Sequence, residues 1–234
     1  MPMLTWNEID TVLLDMDGTL LDLHFDNHFW MEHIPRKYAA NNSLSLAQAR
    51  ARLDIEFIKV AGTLDWYCLD YWAGILKLDI VAAKREIQHL ISMRDDTVPF
   101  LDALQTSGRQ VVLVTNAHPD SLSLKVERTQ LDQHIDQMIS THQFGVSKES
   151  QSLWQQLHHH LNFDPKRTLF VDDSLPILNA AKQFGIAHLL AVSNPDSKLP
   201  PRDIVDFHAT EDFRTLTDAI RACPVVDSKA DSRT

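Results

Sequence analysis

The chain contains 234 residues, with 32 acidic and 22 basic side chains and a formal net charge of −10. That balance, without a cluster of lysines or arginines, argues against a nucleic-acid-binding surface. The sequence has neither an apolar run long enough to span a membrane nor a basic-then-apolar leader, so we expect no membrane contact and no signal peptide. Cys68 and Cys223 have no metal-ligand spacing and are expected to be free thiols in a cytoplasmic protein.

Short apolar segments predict five β-strands, at residues 11–15, 110–115, 138–141, 168–171 and 187–192. Between and before the later strands, helices are predicted at residues 98–107, 119–129, 148–161 and 174–184. Because near-continuous apolar strands are typical of sheets covered on both faces, this alternation predicts an α/β fold with a Rossmann-like parallel sheet.

Residues 23–95 interrupt this alternation between the first and second strands. Apolar positions spaced by three and four predict a helix at 44–60, and two further helices are predicted at 64–78 and 80–91. A crossover between strands needs far fewer residues. We therefore expect a sheet domain formed by 1–22 and 96–222, a helical insert at 23–95, and a disordered polar tail at 223–234.

Polar residues follow four of the predicted strands. The first strand ends in Asp15 and Asp17, the second in Thr115-Asn116 and the fourth in Asp172-Asp173, while Lys148 follows the third strand. The carboxyl ends of parallel strands meet at one edge of a sheet, where ligands bind. The sequence thus predicts an edge with oxygen ligands for Mg²⁺ and with groups that hold a phosphate.

The order Asp-x-Asp-Gly-Thr, Thr-Asn, Lys and Asp-Asp resembles the haloacid dehalogenase (HAD) superfamily of phosphohydrolases. The insert at 23–95 resembles the helical cap of that superfamily. Four stretches resemble its bacterial GMP/IMP 5′-nucleotidase branch more narrowly: Leu-Leu-Asp-Met-Asp-Gly-Thr-Leu-Leu-Asp-Leu at 13–23, Trp-Tyr-Cys-Leu-Asp-Tyr-Trp at 66–72, Thr-Asn-Ala-His-Pro at 115–119 and Asn-Pro-Asp-Ser at 194–197. The resemblance implies a Mg²⁺-dependent phosphomonoesterase whose partner is a small molecule, most simply a purine nucleoside 5′-monophosphate.

The resemblance also assigns roles to individual residues. Asp15 would be the nucleophile that forms an aspartyl-phosphate, and Asp17 would be the general acid and base. Mg²⁺ would be bound by Asp15, by the backbone carbonyl of Asp17, and by Asp172, Asp173 or both. Lys148 would neutralise charge on Asp15 and the phosphate, with Lys125 and Lys166 as nearby alternatives for this role. Phosphate binding would fall to Thr115, Asn116, Gly18 and Thr19.

Several alternatives stay open at this point. A haloacid dehalogenase would not need the acid at Asp17, and sugar phosphomutases of this superfamily usually have Val or Ile where this chain has Thr19. A phosphoglycolate-type phosphatase and a non-catalytic binding protein with the same fold also remain. Aromatic residues at 66–72 either pack the insert or stack on a base. Consecutive helix positions cannot chelate one ion, so His158-His159-His160 is not predicted to be a metal site.

Overall fold

The computed structural model describes residues 4–225, at whose centre lies a six-stranded parallel sheet. Its strands are β1 Thr11–Leu14, β2 Gln110–Thr115, β3 Gln137–Ser140, β4 Thr168–Asp172, β5 His188–Val192 and β6 His208–Thr210. They lie in the order β3-β2-β1-β4-β5-β6, with every neighbouring pair parallel. The predicted α/β fold with a Rossmann-like parallel sheet is confirmed.

Strand β1 lies in the middle of the sheet, and its four residues are buried because both faces are covered. Leu14 is paired with Leu113 of β2 and with Val171 of β4. The chain builds one half of the sheet with β2 and β3 and then continues on the other side of β1 with β4. The strand order reverses between β1 and β4, so a ligand crevice is expected beyond their carboxyl ends.

Eleven α-helices surround or extend the sheet within residues 4–225. Their bounds are α1 His24–His28, α2 Ile34–Asn41, α3 Leu46–Val60, α4 Leu64–Tyr67, α5 Leu69–Leu76, α6 Ile80–Glu86, α7 Thr97–Thr106, α8 Pro119–Thr129, α9 Gln151–Leu161, α10 Leu175–Phe184 and α11 Arg214–Ala222. None of the helices in this part of the chain is long and apolar enough to cross a membrane.

Alternate strand residues face two separate apolar clusters. On one face, Leu14 packs in a cluster with Phe100 of α7 and Ile220 of α11. On the other face, Leu13 packs in a cluster with Trp154 of α9 and other residues of α9 and α10. Burial of these side chains on both faces stabilises the sheet and fixes the register that brings the strand ends together.

The helical insert, residues 23–95, has an apolar cluster of its own. Phe29, Phe57, Trp72 and Ile80 belong to it, and Leu124 of α8 joins it from the sheet domain. A five-residue π-helical segment, Phe29–His33, separates α1 from α2. Such segments are rare and occur frequently at functional sites. Helix α8 is therefore one of the elements of the sheet domain on which the insert packs.

Three helix predictions differ from the structure. The helix predicted at 64–78 is two helices, because Cys68 is extended (φ −83°, ψ 111°) and its Sγ accepts a hydrogen bond from the Tyr71 amide. The helix predicted at 80–91 ends at Glu86 and is followed by a short 3₁₀ helix, Gln88–Leu90. The helix predicted from Lys148 begins at Gln151, after the Ser150 side chain caps it.

Strand β6 and helix α11 were not predicted from the sequence. Both are short, and β6 offers only three residues, one of them buried, so no apolar run marks it. Of the predicted disordered tail, residues 226–234 lie outside the described residues. The part that is described is anchored, since the Val225 amide donates a hydrogen bond to the Ser107 carbonyl at 2.8 Å.

Candidate active site

A cavity of about 320 Å³ lies between the carboxyl edge of the sheet and the helical insert. Strand-end residues line one side of it, and Trp30, Trp66 and Tyr67 of the insert line the other. Of the sequence-predicted site residues, the structure brings seven to this cavity: Asp15, Asp17, Thr115, Asn116, Lys148, Asp172 and Asp173.

Lys148 forms the centre of what we call the sheet-edge cluster, which consists of Asp15, Lys148, Asp172 and Asp173. Its Nζ makes a short hydrogen bond to Asp15 Oδ1 and lies 2.7 Å from Asp172 Oδ2. Burial raises the pKa of the Asp15 carboxyl to about 6, although the Lys148 ammonium opposes that shift. Burial alone would lower the pKa of the Lys148 ammonium, but the carboxylates of Asp15 and Asp172 raise this pKa above its ordinary value. Lys148 is therefore charged and fixed against Asp15.

The donors of the sheet-edge cluster fit a hard divalent cation. Carboxylate oxygens of Asp15, Asp172 and Asp173 all lie within 4.8 Å of one another. Three carboxylates face one lysine ammonium, and the nearby Arg202 guanidinium is 43% exposed and 3.6 Å from Asp173. Burial and the carboxylates of Asp172 and Asp15 raise the pKa of Asp173 well above its usual range. The three carboxyl groups therefore resist being ionised together unless a cation is present, and they offer the oxygen ligands that Mg²⁺ prefers.

Asn116 connects the end of β2 to the loop that carries Lys148. Its Oδ1 accepts hydrogen bonds from Thr141 Oγ1 and from the Lys148 backbone amide, both at 2.9 Å. Its Nδ2 donates to Glu149 at 3.1 Å. Thr115 is buried beside it, and its Oγ1 accepts a hydrogen bond from the Ala117 amide. Asn116 therefore fixes the backbone from which Lys148 extends.

A second group of buried charges, which we call the boundary cluster, lies where the insert meets the sheet domain. It consists of Asp17, Asp26, Lys84 and Lys125. Lys125 Nζ lies 2.6 Å from Asp17 and 2.7 Å from Asp26, and Lys84 Nζ lies 2.9 Å from Asp26. Both lysines are 2% exposed. Two carboxylates and two ammonium groups balance each other here.

This cluster sets the environment of Asp17. Burial raises the pKa of the Asp17 carboxyl to about 6; Lys125 opposes the shift, and the Asp26 carboxylate adds to it. Burial also favours the neutral form of Asp26, but Lys125 and Lys84 lower the pKa of Asp26 to about 2. Asp26 is thus ionised at neutral pH, and Lys125 forms ion pairs with both Asp26 and Asp17.

Gly18 and Thr19 do not line the cavity but form the turn behind it. Gly18 has a φ of +83°, and a Cβ atom there would lie 2.9 Å from Asp173 Cγ. Thr19 is fully buried, and its hydroxyl has no hydrogen-bond partner among the described residues. The glycine is required because the backbone of the first motif packs directly against the Asp173 carboxylate.

The aromatic residues at 66–72 divide between packing inside the insert and lining the cavity. Trp72 is 1% exposed, and its Nε1 donates to the Trp66 carbonyl at 2.9 Å, so it packs the insert. Trp66 and Tyr67 line the cavity. The Tyr67 hydroxyl donates to Glu149 at 2.9 Å, and Glu149 in turn accepts from Asn116. A chain of hydrogen bonds therefore joins the insert to the carboxyl edge of the sheet.

Sequence reasoning missed Asp26, Lys84 and Glu149, and named Lys125 only as an alternative to Lys148. Lys84 lies on a predicted amphipathic helix, where a lysine is expected on the solvated face. Asp26 lies among the residues that follow the first motif, a position that indicates proximity to the cavity but no partner. The charges of Asp26, Lys84 and Lys125 meet only because α1, α6 and α8 pack together, so no spacing in the sequence indicates their contact.

A family model for haloacid dehalogenase-like hydrolases matches residues 9–185. The chain belongs to this family. It is also 46% identical over 213 residues to GMP/IMP nucleotidase YrfG of Escherichia coli (strain K12), covering 91% of this chain and 96% of that protein. The predicted membership of the HAD superfamily and the predicted phosphomonoester hydrolase are confirmed. Hydrolases of this family generally use Mg²⁺.

Two solved structures show the same fold. A HAD phosphatase from Thermococcus onnurineus is similar with a TM-score of 0.76 and 21% identity, covering 93% of this chain and 100% of that one. The L-2-haloacid dehalogenase from Xanthobacter autotrophicus is similar with a TM-score of 0.62 and 16% identity, covering 91% and 98%. The same fold thus occurs in a phosphatase and in a haloacid dehalogenase, so the reaction depends on the residues of the site and not on the fold alone.

Proposed function

We propose that the chain is a Mg²⁺-dependent 5′-nucleotidase that hydrolyses GMP and IMP to nucleoside and phosphate. The observation that carries the substrate is the 46% identity, over 91% of the chain, to a protein named GMP/IMP nucleotidase. The cavity supports this substrate assignment. One wall offers carboxylates for Mg²⁺ and a lysine for the phosphate, and the other wall offers the indoles of Trp30 and Trp66 for a flat ring. Aromatic side chains stack on nucleobases with useful affinity.

Asp15 is the proposed nucleophile. Its carboxylate oxygen forms a bond to phosphorus while the bond from phosphorus to the 5′ oxygen breaks, which gives an aspartyl-phosphate and the nucleoside. Asp17 gives its proton to the departing 5′ oxygen and later takes one from the water that attacks the aspartyl-phosphate. Phosphate then leaves, and Asp15 returns to its free carboxylate.

The remaining groups of the sheet-edge cluster are proposed to offset the negative charge of the phosphate and the nucleophile. Asp15, Asp172 and Asp173, with the Asp17 carbonyl, would hold Mg²⁺, which supplies positive charge that offsets the repulsion between nucleophile and phosphate. Lys148 adds a fixed positive charge beside Asp15, and its hydrogen bond orients the carboxylate. Thr115 and Asn116 are proposed to contact phosphoryl oxygens. Gly18 and Thr19 are proposed to act through the turn that positions the two acids.

Residues 23–95 are proposed to act as a cap over the sheet domain at 1–22 and 96–222. Trp30, Trp66 and Tyr67 bring the insert to the cavity, and Tyr67 is joined to Asn116 through Glu149. Closure over a bound nucleotide would exclude water while the aspartyl-phosphate forms. The cap is then the part of the chain that contacts the base.

A substrate screen with Mg²⁺ tests the proposal. We expect GMP and IMP to be hydrolysed in preference to ribose 5-phosphate, phosphoglycolate and other small phosphomonoesters. Trp66→Ala should raise the KM for GMP by about 5- to 100-fold, the range of one base-stacking contact, and leave the KM for ribose 5-phosphate nearly unchanged. Ile58→Ala, at an exposed position of α3, is the control. Efficient hydrolysis of sugar phosphates without hydrolysis of GMP or IMP would contradict the substrate assignment.

A further inference from the structure

A second set of metal-ligating side chains lies outside the sheet-edge cluster. One ligand atom from each of Cys68, His118 and His142 lies within 4.8 Å of the other two. The donors are a sulfur and two imidazole nitrogens, a set quite different from the oxygen atoms of the sheet-edge cluster. Such donors favour zinc and related ions over magnesium.

The three residues come from both parts of the molecule. Cys68 lies in the insert, at the break between α4 and α5. His118 precedes α8 at the end of the loop that follows β2, and His142 lies in the 3₁₀ helix Thr141–Phe144 after β3. The two imidazole rings meet edge to face with centroids 5.1 Å apart. The set therefore exists only when the insert is packed on the sheet domain.

One ring nitrogen of His142 is buried without a hydrogen-bond partner. The Nε2 atom of His142 is buried and has no hydrogen-bond partner among residues 4–225. A buried polar nitrogen without a partner costs free energy, so an atom in this state calls for an explanation.

We propose that Cys68, His118 and His142 bind a divalent transition-metal ion, with Zn²⁺ as the ion their donors suit best. The exposed Asp70 carboxylate lies 3.5 Å from His118 Nε2 at the edge of the set, so either this carboxylate, after a rotation, or water would complete the coordination. Zn–S and Zn–N bonds of about 2.3 and 2.0 Å at tetrahedral angles place donors about 3.3 to 3.6 Å apart, so the three donors would have to approach one another by at most about 1.5 Å on binding. The Cys68 thiol gives up its proton when it binds.

Binding of the ion would join the insert to the sheet domain. Cys68 and Asp70 flank one side of the set from the insert, and the two histidines hold the other side from strand-end loops. His118 also lines the cavity. The ion would therefore hold the insert in its packed position without occupying the sheet-edge cluster.

Cobalt provides a direct test, because a Co²⁺–thiolate bond gives a charge-transfer absorption in the near ultraviolet that oxygen and nitrogen ligands do not give. We expect one equivalent of Co²⁺ to produce this band in the full-length protein when Mg²⁺ is saturating, and Zn²⁺ to remove it. Cys68→Ser, which retains a helix-capping side chain, should abolish the band. Cys223→Ser, the other free cysteine, should retain it, and His142→Gln should weaken Co²⁺ binding at least about 10-fold.

Thiol alkylation gives a second measurement that needs no variant. Zn²⁺ should protect Cys68 from iodoacetamide, as measured by mass spectrometry, and leave Cys223 reactive. The absence of a band at stoichiometric Co²⁺, a band that persists in Cys68→Ser, or equal protection of both cysteines would each overturn the proposal. These readouts do not use turnover, so they are independent of the proposed nucleotidase activity.

Discussion

The sheet-edge cluster and the boundary cluster share one cavity but differ in charge balance. In the sheet-edge cluster, three carboxylates face the single ammonium of Lys148. In the boundary cluster, two carboxylates and two lysines neutralise each other. A buried excess of negative charge is unfavourable without a counterion, whereas a balanced set is complete in itself. The difference supports the proposal that the first cluster binds a cation, whereas the second has the contacts to position Asp17 and to hold the insert against the sheet domain.

The largest effect is expected from the nucleophile of the sheet-edge cluster. Asp15→Asn keeps the shape of the side chain but removes the charge that attacks phosphorus, so kcat for GMP should fall by about 10⁴-fold or more. Steady-state phosphate release measures it, and circular dichroism checks the fold. The control is Asp10→Asn. Asp10 precedes β1 at the amino end of the strand, opposite to the cavity, and pairs with Arg167, so this variant should retain full activity. Substantial turnover by Asp15→Asn would contradict the role of this cluster.

A smaller loss is expected when the single lysine of the sheet-edge cluster is replaced. Lys148→Met removes a buried positive charge that contacts Asp15 and Asp172, so kcat should fall about 10²- to 10³-fold. Lys166→Met, at an exposed position, is the control. If Lys148→Met and Lys166→Met had equal kcat values, the contact would be structural only.

The boundary cluster should respond chiefly in stability. Asp26→Asn leaves Lys84 and Lys125 buried with one carboxylate between them, so the free energy of unfolding should fall by about 3 kcal/mol. Urea unfolding followed by tryptophan fluorescence measures the change. The control is Glu86→Gln, which breaks an exposed pair with Lys37 on the same insert and should have a much smaller effect. Equal losses for both variants would mean that the boundary cluster adds nothing beyond surface pairing.

The two clusters also differ in how far the sequence reveals them. All four residues of the sheet-edge cluster were predicted, because each follows a strand and the parallel sheet must bring such positions to one edge. Of the boundary cluster, only Asp17 was placed at the site. Lys125 and Lys84 lie on helices, and Asp26 lies where the chain enters the insert, so their contact depends on how the helices pack.

The same limit explains the errors in the fold. The buried strands were found because their apolar runs are short and bounded, while β6 has no such run. The break at Cys68 was missed because the residues on either side have helical composition and cysteine, which caps α5 here through its Sγ atom, is not a usual helix-capping residue. Non-local packing also brings Cys68 to His118 and His142, although no local spacing indicated a metal site.

The smallest effect is expected from two glycine variants, Gly18→Ala and Gly62→Ala, whose comparison distinguishes a loss of ion binding from backbone strain. Gly18 and Gly62 both have positive φ, +83° and +76°, but a Cβ at Gly18 would meet Asp173 Cγ at 2.9 Å while one at Gly62 would meet nothing within 4 Å. Each change to alanine should cost about 1 kcal/mol of stability from backbone conformation alone. Gly18→Ala should in addition displace the Asp173 carboxylate and raise the Mg²⁺ concentration for half-maximal activity about 10-fold. Gly62→Ala should leave the Mg²⁺ requirement unchanged. Equal Mg²⁺ requirements in the two variants would contradict the assignment of Asp173 as a ligand, and the cation would then have to be bound by Asp15 and Asp172 without it.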